Sequence, residues 1–263
     1  MDSVNKTLYI PLYGKAYVSR RNLILHDPSA ESIWEAEGFP LKGKAKSKWL
    51  AYNMGMRSRV FDRWVQEKIA AFPEAAVLHL GCGLDSRMQR LNATHTLWFD
   101  VDFPEVITER RKYFPEGDSY RMIPSDIRDA AWMEQISADT AIVVMEGVSM
   151  YLTTEELTAF LETLSNHVSK IHLLMDSYTA FAAKATKYKN PINDVGVTQV
   201  FGFDDPAAIL PKTGLRFVAE HPLTPEDLIR ELPKREQGFF RLFFAGKTAK
   251  NLYRLYEYEK GAE

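Results

Sequence analysis

Five short apolar runs divide the middle of the chain: AVLHL ending at Leu80, HTLWFDVD at Asp102, YRMIPSD at Asp126, TAIVVMEG at Gly147 and KIHLLMDS at Ser177. Runs of this kind read as strands buried on both faces. Between them lie helical stretches such as Pro104 to Phe114 and Thr154 to Val168, and this alternation predicts a parallel sheet flanked by helices. Thr153-Thr154-Glu155-Glu156 supplies a threonine cap and an acidic first turn for one of these helices. Before about Phe72 the texture differs. Charge is mixed with scattered aromatics, and Met54, Val60, Phe61, Trp64, Val65 and Ile69 fall near helical spacing between Leu50 and Phe72, so the first 72 residues are expected to be helical. Beyond Ser177 a polar, irregular segment runs to about Pro206. LRFVAEHP and GFFRLFFAG then read as two late strands closing the sheet as an antiparallel hairpin.

Composition changes this picture little. A chain of 263 residues with 46% hydrophobic and 26% charged residues is an ordinary globular protein. Its net charge of −2 carries no basic excess that would suggest nucleic acid or an anionic membrane. The one cysteine, Cys82, excludes internal disulfides and multi-cysteine zinc sites. No basic, apolar leader and no run of membrane-spanning length is visible, so a cytoplasmic protein is expected and the sequons at Asn5 and Asn92 are chance matches.

The first candidate chemistry lies in VLHLGCGLDSRMQRL, from Val77 to Leu91, which reads as a strand, a glycine turn and a helix. Gly81 and Gly83 allow a ligand to approach the backbone closely. A dinucleotide fingerprint requires a third glycine, but Ser86 stands there with Asp85 beside it, where a diphosphate would sit. The turn therefore suits a ligand without phosphate, of which S-adenosylmethionine is the common one. Asp102 lies 21 residues after Gly81 (102 − 81), where an acid grips ribose hydroxyls; Asp100, on the same face of that strand, is its rival. Asp126 and Glu146 end the next two strands. Singly, each acid is more often a cap or a solvated charge. Together they form an acidic rim suited to hydroxyls, an amino group and a sulfonium.

The ordered set IPLYGKA, RSRVFD, LGCGLDSR, WFDVDFPEVI, SDIRD and EGVSMYLT, reaching to about Glu156, resembles the leucine carboxyl methyltransferase family, in particular its bacterial branch with the tetracenomycin-type polyketide O-methyltransferases. The resemblance implies an α/β, class I methyltransferase (Rossmann-like) fold: a mostly parallel sheet with helices on both faces and an antiparallel strand at the end. Beyond the reach of the resemblance, the residues themselves read as one domain over 1–263, with a helical N-terminal cap at 1–72 and a lid-like insertion near 178–206 after the fifth strand. The resemblance further implies S-adenosylmethionine as donor and no metal. Carried over residue by residue, Arg57 pairs with the donor's carboxylate, Gly81 and Gly83 form the glycine turn, Asp102 meets the ribose, Asp126 and Ile127 flank the adenine, and Glu146 is the acid after the fourth strand. Lys15 matches a basic residue that reaches the donor, although the alignment there tolerates a shift. Asp85 and Arg87 read as structural or as supports behind the residues that touch the donor. His79 departs from the acid common in the wider class and reads as a core histidine with a satisfied hydrogen bond; Cys82 reads as a small turn residue.

These readings predict an S-adenosylmethionine-dependent O-methyltransferase that transfers the methyl group by direct displacement to a carboxylate of an anionic small molecule or carrier-bound metabolite. A carboxylate is ionised at neutral pH and needs no general base, whereas a phenol, with a pKa of about 10, does. His26, His95, His167, His172 and His221 all lie outside the motif-bearing segments, which favours a carboxylate; no catalytic residue is assigned. A phenolic or enolic O-methyltransferase and a non-catalytic donor-binding protein are the alternatives. The stretch from Tyr178 to Pro206, with Lys184, Lys187 and Lys189 among Phe181, Tyr188, Phe201 and Phe203, reads either as a lid over the acceptor or as a solvated insertion.

Overall fold

The structure, a computed structural model, describes residues 5–186 and 199–261. Three helices come first: α1 (Tyr9–Ser19), α2 (Pro28–Glu37) and α3 (Lys48–Ala71). Asp27 caps α2 by accepting from the Ala30 amide at 2.9 Å, and Gly38, at φ +58°, ends it in the left-handed conformation. The sheet follows as β1 (Ala76–Leu80), β2 (Trp98–Asp102), β3 (Tyr120–Pro124), β4 (Thr140–Met145) and β5 (Lys170–Tyr178), interleaved with α4 (Arg87–Arg90), α5 (Pro104–Arg110) and α6 (Thr154–His167). After α7 (Ala180–Ala185) come β6 (Arg216–His221), α8 (Glu226–Arg230), α9 (Lys234–Phe244), α10 (Gly246–Lys250) and β7 (Tyr253–Lys260).

The seven strands lie in the order β3-β2-β1-β4-β5-β7-β6. The first five pair in parallel, and β7 runs antiparallel to both β5 and β6. Both faces are covered, which explains the unbroken apolar runs. Val77, Ile142 and Leu174 pack with the N-terminal helices and α9, while Leu78, Val143 and Leu173 pack with Leu157, Phe160, Leu161 and Leu164 of α6. The expected start of α6 is a full capping box: Thr153 accepts from the Glu156 amide at 3.1 Å, and Glu156 accepts from the Thr153 amide at 2.9 Å.

The expected closing hairpin needs correction. Residues 238–246 belong to α9 and the start of α10, not to a strand. Their aromatics favour a strand by composition, but a strand would turn Phe240, Leu242 and Phe244 to one face, whereas Phe240 and Phe244 pack on the core and Leu242 stands exposed, as only a helix allows. The partner of β6 is instead YRLYEYEK, β7. There Tyr256 and Tyr258 bury on one face while Leu255, Glu257 and Glu259 bury on the other. Glu257 tolerates that position because His221 at 2.6 Å and Lys68 at 2.8 Å answer it.

The approach of α1 to α3 places two of the functional candidates. A Cβ on Gly14 would stand 2.5 Å from Met54 Cβ, and one on Gly55 would stand 2.9 Å from Val18 Cγ2. Each helix thus offers a glycine where the other presses, which brings the neighbouring Lys15 and Arg57 under the sheet's edge. Gly14→Ala should therefore destabilise the fold by about 1–3 kcal/mol through overpacking. A urea titration should show a lower midpoint at unchanged m value; an unchanged midpoint would contradict the close approach.

Candidate functional site

The carboxyl ends of β1, β2 and β4 open into a cavity of about 1000 Å³. It lies where the strand order reverses between β1 and β4, the position at which open α/β sheets bind ligands. Its wall brings together Lys15 of α1, Arg57 of α3, Gly81 and Gly83 after β1, Asp102 at the end of β2, Asp126 and Ile127 after β3, and Glu146 after β4. Gly81 has φ +62°, and a Cβ there would meet Val148 Cγ2 at 2.3 Å, so both conformation and packing demand glycine.

Asp102 and its rival Asp100 have separate fates. The Asp102 carboxylate accepts from the Gly83 amide at 2.7 Å and the Phe103 amide at 2.8 Å, which fixes it on the cavity wall. Burial pushes its pKa up to about 6, although those amides and Arg110 pull the other way. Asp100 is fully buried behind that wall. It accepts from Arg110 Nε at 2.8 Å, Tyr120 OH at 2.5 Å and Trp98 Nε1 at 2.9 Å. Burial would raise its pKa, but Arg110, with His79 and Tyr120, brings it to about 2.

Beneath the cavity lies a buried ion network. Arg87, without exposed surface, reaches Asp62 at 2.9 Å, Asp85 at 3.3 Å and Glu146. Arg90 joins Asp62 and Asp27, each at 2.8 Å, to Asp85 at 2.9 Å, and Lys15 meets Asp85 at 3.1 Å. Against the desolvation of burial, Lys15, Arg90 and Arg87 hold the Asp85 carboxyl well below the usual range. In the same way Arg87, Arg57 and Lys15 bring Glu146 to about 2. Asp85 and Arg87 are thus structural, as expected, with Asp85 also touching the cavity. His79 is the satisfied core histidine expected. Burial lowers its pKa, Arg87 Nη1 lies 3.2 Å from Nε2, and Nδ1 lies 3.2 Å from Asp100. Because arginine can only donate, Nε2 accepts and Nδ1 carries the hydrogen toward Asp100. The buried Cys82 thiol is pushed well up in pKa and is no nucleophile.

Arg57 is more committed than a free clamp. Nε meets Glu146 at 3.0 Å, and Nη1 meets Asp176 at 3.3 Å and donates to Tyr253 OH at 3.0 Å. Asp176 also accepts from the Gly147 amide at 2.8 Å, and burial pushes its pKa up to about 6. Asp126, half-buried, is held below the usual range by Arg128, which meets it at 2.6 Å. Sequence reasoning missed Tyr253 and the whole apolar side of the cavity, formed by Leu50 and Met54 of α3, Phe243 and Phe244 of α9, Ala249 of α10 and Leu252. The alternation in YRLYEYEK would have revealed β7 and with it Tyr253. From the candidate lid, Ala182 and Ala185 of α7 reach the cavity, whereas Phe181 points to solvent and Phe203 packs in the core on Tyr256. Residues 187–198, with Lys187, Lys189 and Tyr188, lie outside the described residues.

Sheet order, glycine turn and acid-ended strands define a class I, Rossmann-like methyltransferase. A family model described as Leucine carboxyl methyltransferase matches residues 10–165, and the chain belongs to that family. It is 29% identical over 221 residues, 82% of each chain, to the tetracenomycin polyketide synthesis O-methyltransferase TcmP of Streptomyces glaucescens. It is 26% identical over 230 residues to the S-adenosyl-L-methionine-dependent methyltransferase dpfgK of Gibberella zeae, covering 78% of this chain and 77% of the relative. Among solved structures, magnesium protoporphyrin IX methyltransferase of Synechocystis, with bound S-adenosylhomocysteine, shares the fold with TM-score 0.52 at 15% identity, over 89% of this chain and 93% of that one. The protein is an S-adenosylmethionine-dependent O-methyltransferase. The cavity suits that cofactor: an amide-fixed carboxylate ends β2, apolar Phe103 and Ile127 lie beside it, and Asp85 disfavours a phosphate. Among the described residues no helix is long and apolar enough to cross a membrane, and no three His, Cys, Asp or Glu side chains are grouped to hold a metal.

Two outcomes are expected. A carboxyl with pKa raised to about 6 is protonated below that pH and ionised above it. A ligand of net positive charge favours the ionised form, so donor affinity should rise by up to about tenfold from pH 5 to pH 7, and Asp102→Asn should flatten the rise in calorimetry. Asp100→Ala should instead unfold the protein, because it strands Arg110 in the core at about 3–5 kcal/mol. A folded Asp100→Ala variant with weakened donor binding would reverse the two assignments.

Proposed function

We propose that this chain methylates a carboxylate oxygen of a small, anionic, largely apolar acceptor. The observation that carries the reading is the lack of a free histidine among the described residues of the wall, where the carboxylate of raised pKa, Asp102, is already held by two amides. Among the described lining residues His79 is the only histidine, and both its nitrogens are engaged. Tyr253, the lining phenol next to Arg57, is held protonated far above its ordinary range by burial and Asp176. A carboxylate acceptor requires no deprotonation at neutral pH, whereas a phenol does. When bound, S-adenosylmethionine supplies an electrophilic methyl group on a sulfonium. Asp102 would then hold hydroxyls of the donor, Asp126 and Ile127, with Phe103 beside them, its adenine, and Lys15, Arg57 and Glu146 its amino-acid end. Holding acceptor oxygen and methyl carbon in line is the main task left to the protein, and alignment can supply about 7–11 kcal/mol of the barrier. Lys44, on the cavity wall without an ion-pair partner among the described residues, would draw the anionic acceptor in. We infer that α7, whose Ala182 and Ala185 line the cavity, covers the acceptor side as part of a lid.

The name of the Streptomyces relative makes polyketide-derived acids the first acceptors to try. With a labelled methyl donor, the product should be labile to mild base, as an ester is. A base-stable label would instead support methylation of a phenolic or enolic hydroxyl. Shortening the lid should abolish transfer while donor affinity is kept.

A further inference from the structure

Helix α9 is apolar on two sides. Phe240 and Phe244 face the core, while Phe239, Leu242 and Phe243, spaced three and four apart, stand 46%, 68% and 51% exposed on the adjoining outer side. Leu252 adds a further exposed apolar side chain. The aromatics are contiguous: Phe239 and Phe243 have ring centroids 4.7 Å apart, and Trp49, at the start of α3, lies 4.7 Å from Phe239. A solvent-facing stripe of this size on a helix that already has its core contact calls for a partner.

The charges around the stripe say which. Lys42, Lys44 and Lys46 on the turn before α3 are exposed, as are Lys234 at the start of α9 and Lys247 on α10. None of these five has an ion-pair partner among the described residues, whereas Lys48, Arg241 and Lys250 nearby are paired. The overall charge of −2 therefore conceals a local basic rim around an apolar centre. Lys44, Phe243 and Leu252 also line the cavity, so its mouth opens on this face.

We propose that α9, α10 and the turn at Gly43–Lys46 form a docking surface for an anionic lipid bilayer. Phe239, Leu242 and Phe243 enter the headgroup boundary and the lysines meet the lipid phosphates, the division of labour of an interfacial helix. The cavity mouth then faces the bilayer, and a lipophilic acceptor dissolved there reaches the site without crossing water. This inference is independent of which oxygen accepts the methyl group.

The test is co-sedimentation of the full chain with vesicles of phosphatidylcholine, with and without phosphatidylglycerol. Binding is expected only with phosphatidylglycerol, and it should weaken as salt is raised. Leu242→Asp, and separately Lys234→Glu with Lys247→Glu, should each reduce it at least about tenfold while donor affinity is unchanged, which shows that the variants are folded. No binding to anionic vesicles at low salt would overturn the proposal, as would binding unaffected by either variant. Self-association lost in Leu242→Asp, with no vesicle binding, would assign the face to a second copy instead.

Discussion

The fully buried guanidinium of Arg87 is the contact on which the arrangement depends. It meets carboxylates from three parts of the chain: Asp62 on α3, Asp85 in the glycine turn and Glu146 after β4. Arg90 extends the network to Asp27 at the head of α2, and Lys15 ties in α1. Burying so many charges is favourable only if each finds its partners, and removal of one leaves the others desolvated and uncompensated. The network therefore acts as a register. The three N-terminal helices can dock on the sheet in few ways that satisfy every member, and this way builds the cavity wall.

That register also decides the electrostatics of the site. Glu146 and Asp85 are ringed by cations and stay ionised, so they are fixed charges. Asp102 and Asp176 lie farther from full compensation, and burial raises both toward neutrality. The site thus divides into carboxylates committed to holding the fold and carboxylates whose charge a ligand can recruit. Arg57 stands at the boundary, engaged by Glu146 and Asp176 yet facing the cavity.

The two ends of the cavity are built differently. The end at β1, β2 and β4 is made of backbone turns and carboxylates held by amides or cations. The other comes from the first turns of α3 and from α9 and α10, with apolar side chains and few hydrogen bonds. Rigid polar groups suit a constant ligand. Apolar surface from helices distant in sequence suits one that differs between relatives.

By itself the sequence determined the parallel sheet, the glycine turn and the acids at the strand ends. These are local: an unbroken apolar run, a Gly-x-Gly and a terminal Asp lie within a few residues of one another. His79 was also legible, because a polar residue inside such a run must be satisfied or absent. Spacing favoured Asp102 over Asp100, but only the tertiary structure showed what sets them apart. Two residues apart on one strand, they differ only in what covers them: two amides at the cavity in one case, Arg110, Tyr120 and Trp98 in the other. It alone turned the aromatics of 238–246 into a helix and made YRLYEYEK the closing strand, since buried glutamates read as solvent-facing until His221 and Lys68 are seen beside Glu257. It alone brought Tyr253 to Arg57, 196 residues away. Periodicity and turns are written in neighbouring residues, whereas burial and charge compensation are properties of groups that meet only once the chain has folded.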